Sequence, residues 1–137
     1  DFNDIKKGIE NYLAKNNRSQ ITLKKNNTII LDAYNANPTS MGLALESFKK
    51  TNYKNKMIIV GDMFELGKDS NQYHQEITNS LEKIKDSIIY IVGKYFCNTK
   101  HSDRIKSFSS TKPFWAPIIK GRLPSRISFP PSISLCK

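Results

Sequence analysis

Three short apolar runs, at residues 28–31, 57–60 and 88–92, are separated by two stretches whose apolar residues recur at helical spacing. This alternation constrains the fold more than any other feature of the chain. Each run suits a strand, and those at 57–60 and 88–92, continuous and apolar, suit strands buried in a parallel sheet. Between the first two runs, Asn37-Pro38 offers a capping amide and a proline whose fixed φ suits a first helical turn, and Met41, Leu45 and Phe48 mark one apolar face. Between the second and third, Asp69 or Ser70 can cap a helix whose stripe is Tyr73, Ile77, Leu81 and Ile84. Strand, helix, strand, helix, strand with short connections predicts a Rossmann-like α/β domain: a parallel sheet with right-handed crossovers and helices on its faces. Ligands of such sheets collect beyond the carboxyl ends of the strands, which singles out the loops after Leu31 and Val60.

The flanks are less regular. Ile5, Ile9, Tyr12 and Leu13 follow a possible cap at Asn3 and predict a short amphipathic helix that stops near Asn16-Asn17. Ile21-Thr22-Leu23 and the run at 28–31 flank a polar segment, a hairpin pattern. Beyond Asn98 lie five of the six prolines and eight serines without a clean period, so no regular structure is drawn there. Residues 98–137 read as a Pro/Ser-rich basic tail, disordered or altered by a frameshift, with the sheet incomplete at its C-terminal end. On that expectation Ile89 and Ile91 would be poorly covered.

Composition narrows the class. A chain of 137 residues suits one domain, and 38% hydrophobic with 25% charged residues is ordinary for a globular one. No apolar run approaches a membrane span and the start, Asp1-Phe2-Asn3-Asp4, has no leader character, so the expectation is cytoplasmic. Cys97 and Cys136 are expected to be reduced and unpaired. Neither they nor His74 and His101 have ligand spacing, so no structural metal is expected. The net charge of +10 raises nucleic acid or another polyanion as partner, gripped by the basic tail with Phe108, Phe114 and Trp115. Nucleic acid is unlikely on two grounds: the charge is confined largely to that tail, and no nucleic-acid fold is recognisable. No G-x-G-x-x-G follows any candidate strand, which disfavours an unrelated dinucleotide binder.

Two segments place polar residues where a packed sheet does not need them. In Asp32-Ala33-Tyr34-Asn35-Ala36-Asn37-Pro38-Thr39-Ser40-Met41, Asp32 can accept bonds from sugar hydroxyls and the helix start can hold an anionic oxygen. The plainer reading is that Asn35 and Asn37 shape a turn and cap a helix. In Gly61-Asp62-Met63-Phe64-Glu65-Leu66-Gly67, two carboxylates at a strand end can position an amine or a hydrated Mg²⁺, although solvated loop acids are commoner. His74, on the following helix, can face the same cleft, but by type is more often an ordinary surface or packing residue.

Together with Asn17-Arg18-Ser19-Gln20, these segments and His74 resemble the ordered signature of the MurF-type Mur ligases, over roughly residues 1–96. The resemblance implies a ligase of three domains, in which residues 1–15 end the central ATPase domain and hinge, and residues 16–97 form part of the Rossmann-like C-terminal domain. It implies amide formation in peptidoglycan synthesis. ATP and Mg²⁺ activate the carboxylate of UDP-N-acetylmuramoyl-tripeptide as an acyl phosphate, which the amine of D-alanyl-D-alanine attacks. By residue, it implies that Arg18 reaches the ATP phosphates and that Asp32 approaches the nucleotide ribose and phosphate region. Tyr34, Asn35, Asn37 and Thr39 line the substrate cleft, and Asp62, Glu65 and His74 belong to the second motif without individual roles. The sequence has no G-x-x-x-x-G-K-[ST] phosphate cradle, so this stretch supplies half of a site and is expected to be inactive alone. Of the family's late Lys-Gly-Ser-Arg loop there is only an echo at Lys120-Gly121.

Overall fold

The computed structural model describes residues 1–12, 18–24, 27–32, 35–110 and 131–136, together with the backbone of 118–121. Helix α1 spans Phe2–Glu10, followed by strands β1 (Gln20–Lys24) and β2 (Asn27–Leu31), helix α2 (Pro38–Lys49) and strand β3 (Lys56–Gly61). Helix α3 (Ser70–Glu82), strand β4 (Ser87–Val92), the short helix α4 (Lys94–Cys97) and strands β5 (Ile105–Ser110), β6 (Ile118–Gly121) and β7 (Ile133–Leu135) complete it.

One seven-stranded sheet runs in the order β1-β2-β6-β3-β4-β5-β7. Strands β3, β4 and β5 pair in parallel, and β6 pairs antiparallel with both β2 and β3, so β2 runs in the same sense as β3. Four strands therefore deliver their carboxyl ends to one edge, where the sequence pattern places the ligand loops. The alternation of strand and helix is as expected, but the sheet is mixed: β6 stands between β2 and β3, while β1 and β7 flank antiparallel neighbours. Lys120-Gly121 belongs to that inserted strand, not to a loop.

Helices α2 and α3 share one face of the sheet. Leu45 and Phe48 of α2 and Ile77 and Leu81 of α3 meet Ile58 and Val60 of β3 and Ile89 and Ile91 of β4 in one core. Burying such a side chain contributes about 1.5–3 kcal/mol, so this layer dominates the stability of the described fold. On the opposite face Met57, Ile59, Val92 and Ile133 form a smaller cluster with Tyr90 and Phe108. The start of α2 follows from its sequence: the Asn37 side chain accepts the Ser40 N–H at 2.9 Å, and the Ser40 hydroxyl accepts the Asn37 N–H at 3.3 Å. Helix α1 is capped by Asp1, whose carboxylate accepts the Asn3 N–H at 3.3 Å, so the cap lies two residues before the expected Asn3. Its apolar residues Phe2, Ile5 and Ile9 are exposed, so its stripe joins neither core cluster.

The expectation of no regular structure beyond Asn98 is corrected. Ile105–Ser110 extends the parallel sheet beside β4, and Ile133–Leu135 pairs antiparallel with it. Ile89 and Ile91 are accordingly fully covered, each with no exposed area. Only Ile105 and Phe108 are large apolar residues in β5. It is a strand because β4 offers its backbone partners, a tertiary effect that periodicity does not report. The unpaired-thiol expectation is also corrected: Cys97 and Cys136 form a disulfide, with Cα atoms 5.9 Å apart. The pairing follows from β7 lying along β5, where the Cys136 N–H donates to the Ser107 carbonyl at 3.0 Å and so brings the chain end beside α4.

The turn into β5 is locked to the end of α3. The Arg104 guanidinium donates to the Ile84 and Glu82 carbonyls, each at 2.7 Å, and to the Glu82 carboxylate at 3.2 Å. That carboxylate accepts the Ser102 N–H at 2.7 Å and the Ser102 hydroxyl at 3.1 Å. The backbone bond from Ser102 first, then its hydroxyl and the Arg104 cation, hold the Glu82 pKa below the ordinary glutamate value against the opposing effect of burial. A lowered folded-state pKa contributes stability above the unfolded value and loses it as pH falls through the folded one. Glu82→Gln should therefore lower the melting temperature at pH 7, with the gap to wild type closing as pH drops through the folded pKa. Thermal melts across acid pH check this, and a gap independent of pH contradicts it.

Candidate functional site

The hairpin sets the first half of the site. Gln20 is registered against Leu31, so Ser19 and Asp32 leave β1 and β2 side by side. The Asp32 carboxylate accepts the Ser19 N–H at 3.1 Å, and Ser19 adopts a positive φ of 47°. Exposed Arg18 directly precedes Ser19, so the two predicted nucleotide-facing residues stand at the same end of one hairpin. Beyond Asp32, Asn35, Asn37 and Thr39 are exposed on the approach to α2, while Tyr34 lies outside the described residues. The amide oxygen of Asn37 is engaged in the cap, so the plain structural role of this asparagine is real. Between the hairpin and α2 runs a groove of about 440 Å³, walled by Ile21, Ile30 and Phe48, with hydroxyls from Ser19 and Ser40. Among the described residues that line it, Asp32 is the charged one.

The second half divides into buried and exposed members. Asp62, only 7% exposed, follows β3 and turns inward, where its carboxylate accepts the Tyr95 and Phe96 N–H groups at 3.1 Å each and so caps α4. A carboxylate removed from water needs such donors, because desolvation otherwise disfavours its charge. Gly93 makes the approach possible: its φ is 137° and a Cβ there would overlap the Asp62 carboxylate. His74 is fully buried. Its Nδ1–H donates to the Ser70 carbonyl at 2.6 Å and its Nε2 accepts the Met63 N–H at 3.0 Å, which fixes the tautomer from both sides. The Asp62 carboxylate lies 3.7 Å from that Nε2. Glu65, by contrast, is exposed with a positive φ of 63°, and its neighbour Phe64 is partly exposed.

The structure thus brings Arg18 with Asp32, and Asp62 with His74, and turns Glu65 outward. Tyr95 and Phe96, whose amides hold Asp62, were not singled out by sequence, and neither was Gly93. The signal available for them was a glycine immediately followed by a short helix at a strand end.

Stability measurements separate these roles. Asp62→Asn removes charge-assisted bonds to two buried donors and should cost about 1.5–3 kcal/mol. Gly93→Ala should cost about 2 kcal/mol or more through strain and overlap. Glu65→Gln, on the surface, should stay within about 0.5 kcal/mol of wild type. Urea unfolding reads all three, and an Asp62→Asn effect as small as that of Glu65→Gln contradicts the capping role.

Comparison with known proteins places this geometry. Residues 17–110 match the family model for the Mur ligase, glutamate ligase domain. The match runs past residue 96, the limit drawn from the motifs, because it takes in β5. The UDP-N-acetylmuramoyl-tripeptide--D-alanyl-D-alanine ligase of Rickettsia prowazekii is 38% identical over 78 residues, covering 57% of this chain and 17% of that protein. A crystal structure of MurF from Acinetobacter baumannii superposes with a TM-score of 0.67 at 30% identity, covering 79% of this chain and 24% of that one. MurF ligase from Thermotoga maritima, in complex with ADP, shares the fold with a TM-score of 0.61 at 24% identity, covering 74% of this chain and 23% of that one. The chain spans less than a quarter of the length of each of these proteins. With the family model covering residues 17–110, well over half of its length, the chain belongs to the Mur ligase family.

Proposed function

We propose that this chain serves as the acceptor-binding and closing domain of an ATP-dependent ligase that joins D-alanyl-D-alanine to UDP-N-acetylmuramoyl-tripeptide in peptidoglycan synthesis. The observation that carries the reading is the 38% identity to the Rickettsia prowazekii ligase of that name. The placement of Arg18 and Asp32 at one hairpin end agrees with it.

In this reading the central domain grips the nucleotide and this domain closes over it. Arg18 offers the ATP phosphates a permanent cation with several donors. Asp32, an acceptor at the edge of the groove, suits ribose hydroxyls. Asn35 and Asn37 lie on the approach to α2 and Thr39 in its first turn, where a substrate would pass between domains, and the family resemblance adds Tyr34 to them. Glu65 is the acid of the second loop that faces solvent, and its carboxylate suits the amine of the incoming dipeptide. Among the described residues no three His, Cys, Asp or Glu side chains converge, so Mg²⁺ would be held by groups elsewhere in the enzyme and by the nucleotide phosphates. ATP supplies the phosphoryl group that activates the tripeptide carboxylate, and the amine attack releases phosphate. Positioning and charge complementarity are this domain's contribution. A cytoplasmic setting fits the nucleotide-linked substrates. Among the described residues no helix is long and apolar enough to cross a membrane. Of the basic tail offered as a nucleic-acid grip, 105–110 and 133–135 pair into the sheet, while Phe114 and Trp115 lie outside the described residues.

The 137-residue chain alone should show neither ATP hydrolysis nor ligation, and ATPase activity from a pure sample would overturn the assignment. Within the full-length enzyme, Arg18→Ala and Asp32→Ala should each lower kcat/KM for ATP by roughly 10- to 1,000-fold without unfolding the domain. Steady-state kinetics with a thermal melt reads both, and wild-type kinetics in either variant removes that residue from the site.

A further inference from the structure

The loop from β3 to α3 is anchored from within at its first two residues and exposed at the next two. Asp62 is held by the Tyr95 and Phe96 amides, and Met63 by His74. Phe64 and Glu65 then emerge to solvent. His74 cannot touch a ligand in this arrangement: it has no exposed area, both ring nitrogens are engaged, and Tyr95 stacks on its ring while Phe96 meets it edge-on, at 5.1 and 4.7 Å between centroids.

Nor is it only filler. Ile77 and Leu81 fix α3 in the core, the Ser70 carbonyl of the same helix orients the ring, and the ring then presents one acceptor, Nε2, to one loop donor, the Met63 N–H. A leucine or phenylalanine would fill the space and leave that donor buried without its acceptor. We infer that His74 is a positioning residue which, through Met63, sets the direction in which Glu65 leaves the sheet edge and so presents the Glu65 carboxylate to the amine of the acceptor substrate. This rests on the ligase reading above. Asp62 holds the preceding residue and shares the task, whereas Glu65 alone makes the contact.

The test compares His74→Leu, His74→Gln, Glu65→Gln and the double variant His74→Leu with Glu65→Gln in the full-length ligase. His74→Leu should raise KM for D-alanyl-D-alanine about 10- to 100-fold, the scale of an ångström-sized misplacement, and leave KM for ATP unchanged. His74→Gln, whose side-chain carbonyl reaches the same N–H, should recover most of that loss. The double variant should be no worse than Glu65→Gln alone, because the histidine acts through the glutamate. Additive losses, equal rises in every KM, or a Gln variant as impaired as Leu would overturn the inference. Should His74→Leu fail to fold, His74→Gln and Glu65→Gln decide: near-wild-type acceptor KM in the first and a raised one in the second are required. Amide exchange in the 137-residue chain gives an independent arm. Met63 should exchange faster in His74→Leu and regain protection in His74→Gln, and an unchanged Met63 rate would overturn the inference. A full-length wild type that does not ligate would instead sink the ligase reading, leaving the exchange result to judge the positioning role.

Discussion

Strand β3 is buried on both faces, and the rest of the domain is arranged to permit it. Met57 and Ile59 point to one side, Ile58 and Val60 to the other, and all four are within the core. A strand in that position needs backbone partners along both edges and an apolar layer above and below. Helices α2 and α3 supply one layer, and the cluster around Val92 and Ile133 supplies the other. The parallel sense of β3 and β4 then follows from placing α3 as their crossover on one face, and β5 joins in the same sense after the connection through α4. Their shared polarity is what gathers the loops that carry polar chemistry at a single edge.

At that edge the domain uses two kinds of support. At the hairpin end the Asp32 carboxylate accepts the Ser19 amide, and Arg18 and Ser19 are exposed to solvent. The loop after β3 is supported from within: a buried carboxylate grips two amides of α4, and a buried imidazole grips the next backbone donor. Buried polar groups of this sort are costly unless every member is satisfied, and here the donors and acceptors are matched one to one. The outcome is a rigid base under an exposed glutamate.

Much of this was legible in the chain. The order of strands and helices, the hairpin, the Asn37 cap and the edge at which ligand loops collect could all be read from local pattern, because each depends on neighbours within a few residues. The segment after Asn98 was not legible. Ile105–Ser110 carries too few apolar residues to announce a strand, and Ile133–Leu135 is only three residues long. Both exist because a neighbouring strand completes their hydrogen bonds, and the Cys97–Cys136 bond depends on the same long-range pairing.

The site divides along the same line. The sequence by itself determined which residues gather near the carboxyl edge, and the motif containing Asp62, Glu65 and His74, since residue identity and spacing are local properties. Only the tertiary structure decided that Asp62 and His74 turn inward while Glu65 turns outward. Burial depends on what packs above a residue, and here that is Gly93, Tyr95 and Phe96, some thirty positions along the chain.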